Sequence, residues 1–149
     1  MRRSSTAIVG IGNVLKGDDA SGPLVCEKLR QANVSAHVID ASTVPENYIR
    51  TIIRKKPQNL LLIDAIDFGG ESGEIRVFKP EQLSSLVIST HTLSPRIFID
   101  MIRKSIELDV YCIGIQPAQT QLGTPVSEQV SKAIQQLCRI LTEIFPPKV

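Results

Sequence analysis

Short apolar runs alternate with longer amphipathic stretches along this chain, and that alternation is typical of an α/β fold. The apolar runs predict five strands, at residues 6–12, 36–40, 60–66, 74–78 and 110–115. Apolar positions at helical spacing predict four helices, at residues 19–32, 45–56, from 94 onward, and 126–145. This order of elements favours one sheet with helices packed on both of its faces.

Two strands have patterns that predict their place in the sheet. The run at 60–66 is the most apolar segment, which favours a central position. Strand 74–78 alternates polar and apolar residues, as an edge strand does, and the turn before it is too short for a crossover helix. We therefore expect this strand to run antiparallel. The predicted fold class is α/β, a three-layer sandwich with a mostly parallel, five-stranded twisted sheet, one antiparallel strand, and helices on both faces.

Each helix is expected to turn one apolar face toward the sheet. In the third helix the predicted inward residues are Ile97, Phe98, Met101, Ile102 and Ile106. In the last helix they are Val130, Ile134, Leu137, Cys138, Leu141 and Ile144.

Length, composition and charge limit the classes of protein to which this chain can belong. With 149 residues, 42% of them hydrophobic and 21% charged, the chain is expected to form a single domain over residues 1–149. The formal charge is +2 and the basic residues are scattered, so no nucleic-acid partner is expected. No apolar run approaches the ~20 residues that span a bilayer, and no signal peptide is recognisable. We expect a cytoplasmic protein without a membrane partner, either a monomer or a weak homodimer.

The three cysteines and one of the two histidines are interpreted as structural. Cys26, Cys112 and Cys138 are far apart, lie in apolar segments and form no CxxC motif, so buried and reduced thiols are expected. His37 lies alone near the start of the second strand and is interpreted as a structural or surface residue.

Residues whose side chains can bind a metal or take part in catalysis follow the first and third strands. Ligands of open α/β sheets bind beyond the carboxyl ends of the strands, and in such folds these two strands are commonly neighbours. Asp18 and Asp19 follow the first strand, Asp64 and Asp67 end the third, and His91 lies in a later loop on the same edge. An aspartate within an apolar run is costly unless a cation or a proton pairs with it. Asp19, Asp64 and His91 together offer two carboxylates and an imidazole, which suit nickel or zinc.

Simpler roles stay open for each of these residues. Asp18 is as well suited to capping a helix as to catalysis. Asp67 is favoured as the first residue of the following glycine turn. His91, taken alone, is more typical of a hydrogen-bonded loop residue than of a metal ligand.

A dinucleotide site is the main rival interpretation. Gly10 and Gly12 follow the first strand and Asp40 ends the second, as in a dinucleotide-binding turn. However, Leu15 stands where the third glycine of that motif belongs, and the acid pair would repel a pyrophosphate. A nucleotide-binding regulatory module is therefore the less favoured hypothesis.

Several motifs together resemble the hydrogenase maturation endopeptidases. They are GIGN at 10–13, GDD at 17–19, LIDAIDFG at 62–69 and TH at 90–91. VPEN at 44–47, GEIR at 73–76 and GIQP at 114–117 resemble the branch that processes hydrogenase 3, the formate hydrogenlyase large subunit. The resemblance covers nearly the whole chain and rests on the order and spacing of the motifs.

The resemblance implies a function, a partner and a site. Such an endopeptidase removes the C-terminal extension of a hydrogenase large-subunit precursor after nickel insertion, and other maturation factors are possible partners. The resemblance implies that Asp19, Asp64 and His91 contact nickel carried by the substrate, and that the resting enzyme holds no tightly bound metal, although zinc or cadmium can occupy such a site. Many members carry a glycine where this chain has Ala20, which puts the local turn in question.

The cleavage chemistry has more than one candidate. The metal can polarise the scissile carbonyl or activate water, or a carboxylate can act as general base, with Asp18 and Asp67 as supporting candidates. A further alternative is a chaperone that docks the maturing subunit without cutting it.

Overall fold

The five predicted strands form one sheet in a computed structural model that describes residues 5–88 and 94–149. The strands in chain order are β1 (Thr6–Ile11), β2 (His37–Ser42), β3 (Asn59–Asp67), β4 (Ile75–Phe78), β5 (Val87–Ile88) and β6 (Asp109–Ile115). The main sheet has the order β2-β1-β3-β6-β4. The short strand β5 was not predicted, and it pairs antiparallel with the end of β3.

The strand pairing confirms the predicted sheet. β1 lies between β2 and β3 and is parallel to both, so the first and third strands are neighbours. β3 is central and also pairs in parallel with β6. β4 is the antiparallel edge strand, and it pairs with β6. The carboxyl ends of β1, β2, β3 and β6 therefore open on one edge of the sheet.

Within the described residues, four α-helices cover the two faces of the sheet. They are α1 (Ser21–Gln31), α2 (Ile49–Lys55), α3 (Pro95–Arg103) and α4 (Glu128–Ile144). One apolar core packs between the sheet and α2 and α3, and contains Val9, Leu62 and Phe98. The other packs under α1 and α4, and contains Ile8 and Ile63. Neighbouring residues of one strand enter opposite cores because successive strand side chains point to opposite faces. None of the helices in the described ranges is long and apolar enough to cross a bilayer.

The predicted inward faces of α3 and α4 were wrong at three positions. Ile97 and Met101 are exposed, because α3 packs through Phe98, Ile99 and Ile102 instead. At about 100° per residue, Ile97 and Met101 lie on an adjacent face that cannot reach the sheet at the same time. Ile144 is also exposed, since it is the last residue of α4, where the helix ends.

Helix α1 lies unusually close to the sheet. A Cβ atom added to Gly22 would stand 2.5 Å from the carbonyl oxygens of both Ile11 and Ile63. From the other side, a Cβ on Gly10 would meet the carbonyl of Gly22. Both glycines are thus needed for contact between main chains, and this contact determines where the loop after β1 can run.

We expect Gly22→Ala to destabilise the protein by about 2 kcal/mol, because backbone atoms of two strands would have to shift. Helix propensity alone predicts the opposite sign, since alanine favours a helix over glycine. Urea unfolding followed by circular dichroism measures the change. The control is Gly69→Ala, where the added Cβ meets no atom within 4 Å and only the positive φ of 75° carries a cost. A Gly22→Ala variant as stable as the wild type would contradict the close approach.

Candidate active site

The candidate site lies at the carboxyl ends of β1 and β3. The chain leaves β1 through a short loop and enters a 3₁₀ turn at Gly17–Ala20, which leads directly into α1. This turn carries Asp18 and Asp19, and both side chains are fully buried. Two adjacent buried carboxylates are uncommon because each must recover the solvation it has lost.

Asp19 is held by the loop that precedes it. The main-chain N–H of Asn13 donates a hydrogen bond of 2.9 Å to Oδ2 of Asp19. The side chain of Asn13 in turn accepts a hydrogen bond of 2.9 Å from the N–H of Leu15, which fixes the loop. A Cβ on Gly12 would overlap the carbonyl oxygen of Asp19, so glycine is required there by the turn itself.

Asp64 lies within β3 and is only 4% exposed. It shares its strand face with Leu62 and Ile66, which belong to the core under α2 and α3. Asp64 lines a small cavity of about 10 Å³ with apolar neighbours that include Ile11 and Pro95. A carboxylate in such surroundings is expensive to keep ionised, as the sequence analysis predicted.

The thiol of Cys112 lines the same cavity as Asp64. Burial, together with the nearby charge of Asp64, raises the pKa of Cys112 to about 12. This thiol therefore stays protonated at neutral pH and is not a nucleophile. Burial likewise raises the pKa of Cys26 to about 12 and that of Cys138 to about 11, and all three cysteines are free and buried, as predicted.

Asp19 and Asp64 both lie against the end of β1. Gly10 pairs with Ile63, so Ile11 lies beside Asp64, and the two residues line one cavity. The carbonyl of Asp19 packs against Gly12, the residue after Ile11. The fold therefore brings to one end of one strand two acids that are distant in sequence.

Asp18 serves the structure. Its carboxylate accepts hydrogen bonds from the N–H groups of Ala118 (2.8 Å), Gln119 (3.1 Å) and Ser127 (2.7 Å). It also accepts one from the hydroxyl of Ser127 at 2.9 Å. These four bonds join the β1–α1 loop to the loop that connects β6 with α4. Asp18 is thus neither a cap of α1 nor an available base.

Asp67 and Gln116 form a second clamp beside the site. Gln116 donates a hydrogen bond of 3.0 Å to Oδ1 of Asp67 and accepts bonds from the N–H groups of Phe68 and Gly70. Asp67 also accepts a bond of 3.1 Å from the N–H of Gly69, so it does begin the glycine turn. No structural role was predicted for Gln116 or Ser127 from the sequence. A serine just before a helix is a recognisable cap, whereas a glutamine clamp leaves no local pattern.

Of the two histidines, the structure describes His37 and not His91. His91 lies outside the described residues, so its predicted place in the site stays a prediction. Its described neighbours lie near Asp64, because Ile88 pairs with Ile66 and Pro95 lines the Asp64 cavity. His37 starts β2 at the opposite edge of the sheet and is remote from the site. Within residues 5–88 and 94–149, no three His, Cys, Asp or Glu side chains cluster as a metal site.

The glycines have structural roles that the dinucleotide interpretation did not anticipate. Gly10 and Gly12 allow close packing of α1 and of the acid turn. Asp40 accepts hydrogen bonds from the N–H and the hydroxyl of Ser42, in a local turn. Ala20 has a φ of −75° and a ψ of −2°, which any residue adopts, so the departure from glycine does not strain this turn.

We expect Asp18→Ala to cost about 3 kcal/mol of stability, because it leaves several partly buried donors without an acceptor. Chemical denaturation measures the loss. The matched control is Asp67→Ala, which removes an exposed aspartate and should cost no more than about 1 kcal/mol. Equal stability of the two variants would contradict the structural role of Asp18.

The hydrogen bond from Gln116, aided by the N–H of Gly69, lowers the pKa of Asp67 below its ordinary value. A lowered pKa in the folded state means that this contribution to stability is present above the ordinary aspartate pKa and is lost as the pH falls through the lowered value. In Gln116→Ala, NMR titration should find the Asp67 pKa closer to ordinary. An unchanged titration curve would show that Gln116 does not lower the pKa of Asp67.

Comparison with known proteins identifies the family to which this chain is similar. Residues 23–144 match the HycI family, described as hydrogenase maturation protease. The chain is 34% identical over 127 residues to the hydrogenase 3 maturation protease of Escherichia coli, and the match covers 84% of this chain and 81% of that protein.

Solved structures show the same fold. The NiFe hydrogenase maturation protease HycI from Thermococcus kodakarensis matches with a TM-score of 0.87 and 34% identity, covering 95% of this chain and 92% of that one. The endopeptidase HycI from Escherichia coli matches with a TM-score of 0.84 and 30% identity, covering 93% of this chain and 90% of that one. On the family match and these identities, the chain belongs to the hydrogenase maturation protease family.

Proposed function

We propose that this protein is a cytoplasmic endopeptidase that removes the C-terminal extension of a nickel-iron hydrogenase large-subunit precursor, and that Asp19, Asp64 and His91 recognise nickel carried by that substrate. The observation that carries the proposal is the burial of Asp19 and Asp64 at the same end of β1 in a member of this family. Two carboxylates and an imidazole form a donor set that a borderline divalent ion accepts.

Electrostatics makes the site a checkpoint for nickel insertion. In the proposed site, two carboxylates that converge without a cation between them repel each other. A precursor that brings a divalent cation relieves this repulsion, and an empty precursor does not. The difference in binding free energy between the two forms then supplies the specificity, without any contact that recognises the sequence of the tail.

Four of the aspartates discussed above differ in how well each could take part in the cleavage reaction. Asp18 accepts four hydrogen bonds from protein donors, and the lowered pKa of Asp67 makes it a weak base. Asp19 and Asp64 stay as the acids that can face a cation and the scissile peptide. We propose that they hold the substrate's nickel beside the bond to be cut, so that the carbonyl or a water next to the metal is activated.

Purified protein should cleave nickel-loaded precursor and leave nickel-free precursor intact under the same conditions. Loss of the tail is measured by mass spectrometry of the large subunit over time. Cleavage of both forms at one rate would refute the checkpoint. Binding of the loaded precursor with no cleavage at all would instead indicate a docking chaperone.

The substitutions Asp19→Asn, Asp64→Asn and His91→Ala should each slow cleavage by at least about 100-fold, because each removes one donor to the cation. Thermal unfolding checks that each variant folds. The control is Asp40→Asn, at the end of the neighbouring strand β2, which keeps an acceptor for Ser42 and should cleave normally. Normal cleavage by all three site variants would contradict the assignment of these residues to the cation site. A thermal shift with a dinucleotide that Asp40→Asn abolishes would revive the nucleotide-binding alternative.

A further inference from the structure

Three large apolar side chains project from the loops after β1 and β6 in the described part of the chain, at the edge of the sheet that carries the site. Val14 is 60% exposed, Leu15 is 64% exposed and Leu122 is 71% exposed. Val14 and Leu15 belong to the loop after β1, and Leu122 belongs to the loop after β6. We call these three residues the apolar platform. Loops at this edge would ordinarily be polar, so three large exposed apolar residues here call for an explanation.

Main-chain hydrogen bonds join the two halves of the platform. The N–H of Gly123, the residue after Leu122, donates a bond of 2.8 Å to the carbonyl of Leu15. The N–H of Asp18 donates another bond of 2.8 Å to the carbonyl of Gln119. With the Asp18 carboxylate also bonded across the same gap, the two loops behave as one unit. The apolar side chains are therefore displayed on a preorganised support, which lowers the entropy cost of binding a partner.

The platform is continuous with the candidate site. Val14 directly follows Asn13, whose N–H binds the carboxylate of Asp19 at 2.9 Å. On its other side, Val14 lines a shallow groove of about 300 Å³ together with Pro23 and Leu24 of α1. A protein that rests on the platform thus also covers the turn that holds Asp19.

We propose that the apolar platform docks an apolar segment of the large-subunit precursor and so presents its metal and tail to the site; this inference rests on the proposed function. A second copy of this chain is the weaker occupant, because it would cover the Asp19 turn that the substrate must reach. Burying the exposed apolar side chains of the platform against a partner removes their surface from water, which favours binding. The platform holds the substrate body equally before and during cleavage, so its loss should affect binding alone.

The test uses Leu15→Gln and Leu122→Gln, which keep the size of the side chain and remove its apolar character. The matched control is Ile144→Gln, since Ile144 is 59% exposed at the end of α4 and lines a groove with Thr6 and Asn59 at the opposite edge of the sheet. Each platform variant should raise KM for the nickel-loaded precursor by about tenfold and leave kcat unchanged. The control should change neither constant.

A binding measurement and sedimentation distinguish failure of the platform proposal from failure of the proposed function. Surface-immobilised precursor should bind each platform variant about tenfold more weakly than it binds the wild type, whether or not cleavage follows. This binding readout tests the platform even if the wild type proves not to cleave, which would reject only the proposed function. Unchanged binding and KM in both variants would overturn the inference. So would a wild-type dimer in sedimentation that Leu15→Gln dissociates with KM unchanged, because the platform would then serve self-association.

Discussion

Contact between the main chains of α1 and the sheet is the constraint on which the rest of the site depends. Gly10 and Gly22 bring no side chain of their own to that contact, so the helix begins directly above β1 and β3. The chain between Ile11 and Ser21 then has to turn sharply at the end of β1. The sharp turn forces Asp18 and Asp19 inward, where water cannot solvate them. The two acids are buried because of this geometry, and the protein has to supply partners for both.

The two adjacent aspartates solve that problem in different ways. The carboxylate of Asp18 accepts hydrogen bonds from N–H and hydroxyl donors of the protein, and these bonds join the loops after β1 and β6. Asp19 accepts a main-chain hydrogen bond from Asn13 and lies next to the end of β1, where Asp64 is also buried. Asp18 thus stabilises the loops after β1 and β6. In the proposed function Asp19, which lies in the first of these loops, binds a substrate cation. The Gln116 clamp fixes the remaining loop, between β3 and β4, on the far side of β3.

Much of the fold could be predicted from the chain because hydrophobic periodicity reports burial directly. The central position of β3 followed from its unbroken apolar run, and the antiparallel direction of β4 followed from the short turn before it. The short strand β5 carries no such pattern and was missed. Ile97 and Met101 were misassigned because α3 has apolar residues on two adjacent faces, and only the tertiary packing decides which of them meets the sheet.

For the candidate site, the burial of Asp64 could be predicted, whereas the structural role of Asp18 could not. Asp64 stood out because it interrupts an apolar strand, and the structure shows it buried there. The role of Asp18 could not be predicted, since its donors at Ala118, Gln119 and Ser127 are about a hundred residues away along the chain. Likewise, Gly10 and Gly12 at the end of β1 matched a phosphate-binding turn in pattern, while in the structure they allow close packing of α1 and of the turn that carries Asp19.

The proposed function requires that Asp19, Asp64 and His91 converge on one divalent cation. An anomalous difference map from a crystal of the protein soaked in Cd²⁺, a heavier ion that accepts the same donors, tests this convergence. We expect a peak at the carboxyl ends of β1 and β3, within coordination distance of both carboxylates and the imidazole. A map with no peak there, in a crystal whose coordinates point these three side chains into separate regions, would contradict it.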